Sequence, residues 1–150
     1  KKNNIEDIFR DFMENNIKFV SRGDDSGTHK AEREIWNIIK IDPDNKKYSS
    51  YYESGQGMGA TINIAIGMNG YTFTDRATWL NFQNKSEHKI LYENDDLLFN
   101  QYGIILVSNK RCPNVNTEAS KLFYKWILSD VGKKLITEYK VNNEQLFFIK

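Results

Sequence analysis

Phe19-Val20-Ser21-Arg22-Gly23-Asp24-Asp25-Ser26-Gly27-Thr28-His29 is the stretch on which the fold turns. Residues 17–20 read as an extended strand, and 21–28 form a polar loop with two glycines. Ala31, Ile35, Trp36 and Ile39 then place one apolar face on a helix that stops before Asp42-Pro43. Strand, loop and helix make one complete unit.

The same unit recurs downstream. Residues 42–50 are a polar connector, Tyr51-Tyr52 opens a short strand, and residues 54–59 form a second glycine-rich turn. Met58, Ile62, Ala65 and Ile66 mark the following helix, with Gly70 as its stop. Residues 71–74 alternate like a strand, and 89–92 and 102–107 read as two more. Upstream, Ile5, Ile8, Phe9 and Phe12 recur at helical spacing until Asn15-Asn16. Near the far end, Ala119, Leu122, Phe123, Trp126 and Ile127 form a helical face. Ser129-Asp130 then caps a last helix carrying Val131, Leu135, Ile136 and Tyr139. Strands alternating with helices predict an α/β fold with a mixed sheet, followed by C-terminal helices.

Composition narrows the functions. The 150 residues, 39% hydrophobic with three Trp, eight Tyr and nine Phe, suffice for one substantial core. Twenty-one basic against 20 acidic residues leave a formal charge of +1, so no broad positive field argues for nucleic acid, and any anion site must be local. The single cysteine, Cys112, excludes an intramolecular disulfide and a cysteine-based zinc cluster. No apolar run approaches the roughly 20 residues of a membrane span.

In parallel α/β sheets, ligands collect where strands end and the next helices begin, because the first turn of a helix leaves N–H groups unpaired. At Asp25-Ser26-Gly27-Thr28 the glycine lets backbone approach a ligand, and Ser26 and Thr28 add hydroxyls beside those amides. Arg22 supplies a fixed forked cation that a helix terminus, with about half a charge, does not. Gly55-Gln56-Gly57-Met58-Gly59 bares the backbone again at the next helix start. Thr72, Thr74, Asp75 and Arg76 end the third strand with further donors and a second cation. Each feature also has an ordinary reading. Ser-Gly-Thr is a common helix cap, and the glycine run lacks the Gly-Lys-Ser/Thr of a phosphate-binding loop. Asp24 and Asp25 form a possible metal pair but sit beside Arg22, which makes them orienting partners for arginine and loop amides. His29 and His88 read as ordinary helix or surface histidines, and Phe123, Tyr124 and Trp126 as core and helix flank.

Taken together, residues 19–29, Tyr51-Tyr52-Glu53-Ser54-Gly55-Gln56-Gly57-Met58-Gly59 and Tyr71-Thr72-Phe73-Thr74-Asp75-Arg76 closely resemble the tungstate-binding proteins of bacterial ABC importers, in the same order and over nearly the whole chain. The resemblance implies a type II periplasmic-binding-protein lobe. It also implies an extracytoplasmic receptor that holds tungstate, or molybdate, between two lobes and delivers it to a membrane permease without chemistry and without a cofactor or metal ligation. Arg22, Ser26, Gly27, Thr28, Gly57, Met58, Thr74 and Arg76 would hold the oxyanion. Residues 1–16 would be an N-terminal helix and connector, 17–98 the oxyanion-binding lobe, and 99–150 a return strand and helices that normally complete the other lobe. Family members begin with a lobe carrying a threonine-rich motif to which nothing before Ile17 corresponds. That lobe would come from a longer chain or another chain, unless the short form folds by itself.

Other readings remain at this level. Phosphate receptors share an Arg-x-Asp-x-Ser-Gly-Thr loop that Arg22, Asp24, Ser26, Gly27 and Thr28 satisfy. Monohydrogen phosphate rewards a carboxylate acceptor such as Asp24, whereas fully ionised tungstate prefers donors only. A detached oxyanion-sensing domain of a regulator would reuse the same lobe. An enzyme with Ser26 or Thr28 as nucleophile and His29 as base would need a third, orienting group that the spacing does not supply.

Overall fold

The computed structural model describes residues 4–149, in two compact units that meet in sequence at Phe99 and Asn100. The first unit is built on three βα steps. Helix α1 (Ile5–Glu14) precedes strand β1 (Phe19–Ser21), which leads into α2 (Gly27–Ile38). Strand β2 (Tyr51–Glu53) leads into α3 (Met58–Gly67), and β3 (Tyr71–Thr72) into α4 (Arg76–Asn81). The strands lie in the order β2-β1-β3, all parallel, with Phe19 opposite Tyr51 and Tyr71. Every strand therefore ends at the same edge, and the three following loops are neighbours there.

The hydrophobic periodicity explains the layers. Phe9, Phe12 and Met13 of α1 close on Phe19 and on Ile35, Trp36 and Ile39 of α2, with Phe9 and Trp36 rings 4.6 Å apart. Strand alternation sends Val20, fully buried, to the opposite face, where α3 packs on β1. There Met58 and Ile62 meet Trp79 of α4 in a smaller cluster. A central strand buried on both faces is what a parallel sheet requires.

The second unit holds α5 (Thr117–Ile127), α6 (Asp130–Glu138) and a hairpin of β4 (Lys140–Val141) with β5 (Glu144–Gln145). Ser129 caps α6 as expected, accepting from the Gly132 amide. Its large apolar side chains are not enclosed: Ile105 is 86% exposed, and Leu122 and Tyr102 about as open. The expected core role of Phe123 and Trp126 fails with them.

Several expected elements differ. Residues 89–92 and 102–107 form no strand, because β-rich composition makes a strand only where a neighbour offers a ladder, and none does here. Antiparallel pairing is accordingly confined to the small hairpin. Helix α4 escaped notice because six residues with two buried side chains leave little periodicity. Helix α3 ends at Gly67, and Asn69 rather than Gly70 takes the left-handed turn. Gly70 is needed for a different reason: a Cβ there would lie 3.1 Å from the Lys18 carbonyl oxygen. Among the described residues, no helix is long and apolar enough to cross a membrane.

Candidate oxyanion site

The loop after β1 is fastened from within. Gly23 turns with φ +61°, and Asp25 follows with φ 58°. Asp24 anchors this turn: its Oδ2 accepts from Arg22 Nε at 3.1 Å and from Arg22 Nη2, while its Oδ1 accepts from the Ser26 amide at 3.2 Å. Hydrogen bonding from Ser26, with Arg22 adding its charge, lowers the Asp24 carboxyl to about 2. Arg22 is thereby held in one orientation, with its side chain 18% exposed, and its remaining guanidinium N–H groups have no partner among the described residues.

Helix α2 begins directly after this loop. Ser26 is its N-cap, with Oγ accepting from the His29 amide, so the amides of Gly27 and Thr28 remain without an intrahelical acceptor. Gly27 itself is exposed, and a Cβ there would meet nothing within 4 Å. The His29 ring accepts the Asp25 N–H at Nδ1, 3.0 Å away, and its Nε2 lies 3.7 Å from Glu53. The imidazole therefore serves the loop and engages neither Ser26 nor Thr28 as a general base would.

Helix α3 presents the barer terminus. Its N-cap is Gly57, which has no side chain to offer, and the first intrahelical bond runs from Thr61 N–H to the Gly57 carbonyl. The amides of Met58, Gly59 and Ala60 are left unpaired. Gly57 and Gly59 both face open space. The Met58 side chain is buried in the core, so only its amide is available to a ligand. Ser54 ties this loop to the first: its amide donates to the Ser21 carbonyl and its hydroxyl to the Arg22 carbonyl.

The third loop is built differently. Asp75 caps α4, taking the Thr78 amide at 2.8 Å and the Thr78 hydroxyl, so a carboxylate already occupies the position an anion would take. Thr74 turns its hydroxyl to the Asp75 carbonyl, and Arg76 forms an ion pair with Glu93. Of the eight residues expected to hold an oxyanion, Arg22, Ser26, Gly27, Thr28, Gly57 and Met58 thus fall on two adjacent loops with unpaired donors. Thr74 and Arg76 lie on a third loop whose polar groups are engaged locally. Among the described residues, no group of three His, Cys, Asp or Glu side chains can hold a metal ion.

Beneath the first loop lies a residue that sequence reading passed over. Glu32 is buried, accepting from Ser21 Oγ at 2.6 Å, Trp36 Nε1 at 2.9 Å and Tyr51 Oη at 2.9 Å. Burial raises its carboxyl against the pull of these three donors and likewise raises the Tyr51 phenol. Its place in the sequence, three and four residues before the buried Ile35 and Trp36, was the available signal.

A family model described as a PBP superfamily domain matches residues 1–131. The chain is 42% identical over 137 residues to the tungstate-binding protein TupA of Peptoclostridium acidaminophilum, covering 91% of this chain and 47% of that protein. It is 39% identical over 154 residues to the TupA of Campylobacter jejuni, covering 99% of this chain and 56% of that one. Among solved structures, the tungstate-binding protein TupA of Desulfovibrio alaskensis is similar with a TM-score of 0.81 at 36% identity, covering 97% of this chain and 60% of that chain. The chain spans about half the length of the curated relatives it matches.

Proposed function

The chain belongs to the PBP superfamily, and on that premise we propose that it is the oxyanion-holding lobe of a tungstate receptor serving an ABC importer. The observation that carries this reading is the pair of helix starts, α2 and α3, that follow adjacent parallel strands and keep first-turn amides without an acceptor, with Arg22 on the loop leading into α2. Two such termini and one fixed guanidinium supply several N–H donors and positive potential to a single small anion.

The unpaired amides of the two helix starts, with the Arg22 guanidinium, suit a fully ionised tetrahedral anion, which offers only acceptors. Asp24 of the Arg-x-Asp-x-Ser-Gly-Thr loop is engaged by Arg22 and by the Ser26 amide, which turns its charge toward the loop itself. The tungstate-binding relatives named above support tungstate as the cargo, and molybdate, a tetrahedral dianion of nearly the same size, is the proposed competitor. The proposal extends to delivery of the anion to a membrane permease on the outer side of the membrane, with no chemistry on the cargo and no resident cofactor.

Residues 100–150 support a second element of the reading: a partner lobe, in a longer chain or in another chain. The unpaired, strand-like stretch at 102–107 and the open apolar faces of α5 and α6 are surfaces that ordinary monomeric domains cover. The experiment is an amide chemical-shift titration with tungstate. The expected result is shifts centred on Gly27, Thr28, Met58 and Gly59, and shifts confined to α5 and α6 would refute the assignment.

A further inference from the structure

Glu32 is a buried carboxyl group that the oxyanion reading does not itself use. It is 2% exposed and sits in the second turn of α2, directly behind the end of β1. One of its oxygens takes the Ser21 hydroxyl, and the other takes both the Trp36 indole and the Tyr51 phenol. A buried carboxyl is costly unless each oxygen is hydrogen-bonded, and here every partner comes from an element that frames the first loop.

The Ser21 hydroxyl faces two ways. Its hydrogen goes to Glu32, and its oxygen accepts the Gly23 amide at 3.3 Å. With its proton directed to Glu32, the oxygen lone pairs are left to Gly23. That bond spans Arg22 and accompanies the left-handed turn at Gly23, just before Asp24 engages the Arg22 guanidinium.

We propose that Glu32 is a positioning residue for the oxyanion loop, acting through Ser21 on the Gly23 turn and hence on Arg22. The inference rests on the tungstate reading for its functional meaning and on the hydrogen-bond chain alone for its structural content. Trp36 and Tyr51 are the control arms: both donate to the same carboxyl group and neither bonds to the Gly23 turn. Although the Tyr51 phenol also lies beside the Ser21 hydroxyl, its removal leaves the Ser21–Glu32 and Gly23–Ser21 bonds in place.

The test compares Ser21→Ala, Glu32→Gln and Tyr51→Phe in the 150-residue chain, reading Gly23 amide exchange without ligand, tungstate affinity and thermal stability. Ser21→Ala is expected to speed Gly23 exchange and weaken tungstate binding by about five- to tenfold, the equivalent of one hydrogen bond. Glu32→Gln, whose amide nitrogen must face Ser21 and compete with Gly23 for its oxygen, is expected to move both in the same direction. It should add little once Ser21 is Ala, because both act along one path. Tyr51→Phe removes an equivalent bond from Glu32 and should leave Gly23 exchange and affinity within about twofold while lowering stability comparably. Equal effects of Tyr51→Phe and Ser21→Ala, or fully additive effects of Ser21→Ala and Glu32→Gln, would overturn the proposal. A wild-type chain indifferent to tungstate would sink the oxyanion reading instead, and Gly23 exchange in the ligand-free proteins would still decide the role of Glu32.

Discussion

Gly23 and Glu53 approach so closely that a Cβ on Gly23 would lie 2.6 Å from the Cβ of Glu53. The first oxyanion loop thus leans directly on the end of the neighbouring strand, and a glycine is required both for that contact and for its φ of +61°. Gly23→Ala should destabilise the fold by about 2 kcal/mol or more, combining left-handed strain with a clash against a Cβ that cannot swing away. A thermal or urea unfolding curve unchanged by the substitution would refute the contact.

Arg22→Ala removes a cation, held by Asp24, from the loop leading into α2. Its loss should weaken oxyanion binding by more than about tenfold, since a charged hydrogen bond in such a site is worth about 1.5 to 3 kcal/mol. Titration calorimetry reads this directly, and an unchanged affinity would remove Arg22 from the site.

Gly57 should respond in opposite directions to one substitution. Its φ of −63° and ψ of 162° suit any residue, and a Cβ there meets nothing within 4 Å, so Gly57→Asp can cap α3 without strain. Stability should rise by about 0.5 kcal/mol from the new cap and the helix dipole. Oxyanion affinity should fall, because the carboxylate would occupy the amides now open to the ligand. Affinity that held or rose alongside stability would show that the α3 terminus is not used.

The Asp24 carboxyl is held at about 2, below the ordinary 3.8, by hydrogen bonds from Ser26 and by Arg22. A depressed carboxyl contributes stability that is complete above its ordinary value and lost as pH falls through the lowered one. The loop should therefore be indifferent to pH from neutrality to about 5 and loosen only between about 4 and 2. A carboxyl-carbon titration of Asp24 with a midpoint near the ordinary value would contradict this, and Asp24→Asn should abolish the acid-dependent loosening.

The legible part of this molecule was its βα grammar. Phe19 and Val20 before a glycine-bearing polar loop, then Ile35, Trp36 and Ile39 at helical spacing, announced a unit that the structure repeats three times. What sequence could not weigh was the availability of partners. Residues 102–107 are as strand-prone as any here, yet without a neighbouring edge they remain unpaired. Helix α2 was read with Ala31 on its apolar face, whereas Ala31 is exposed and Glu32 is the buried member of that stripe. A carboxylate looks solvated until its three donors are placed around it. The oxyanion loops were legible as donors, but whether those donors stay available depended on local capping: open at α2 and α3, and filled at α4 by Asp75.

The central claim is that this lobe is built to hold a fully ionised tetrahedral oxyanion, with tungstate its cargo. Competition among tungstate, molybdate, sulfate and phosphate for the 150-residue chain, with its mass in solution measured alongside, tests that most directly. Tungstate and molybdate should displace phosphate, and, if a partner lobe supplies the remaining donors as proposed, a monomer should bind well short of nanomolar affinity. Phosphate displacing tungstate, or nanomolar binding by a proven monomer, would contradict the account.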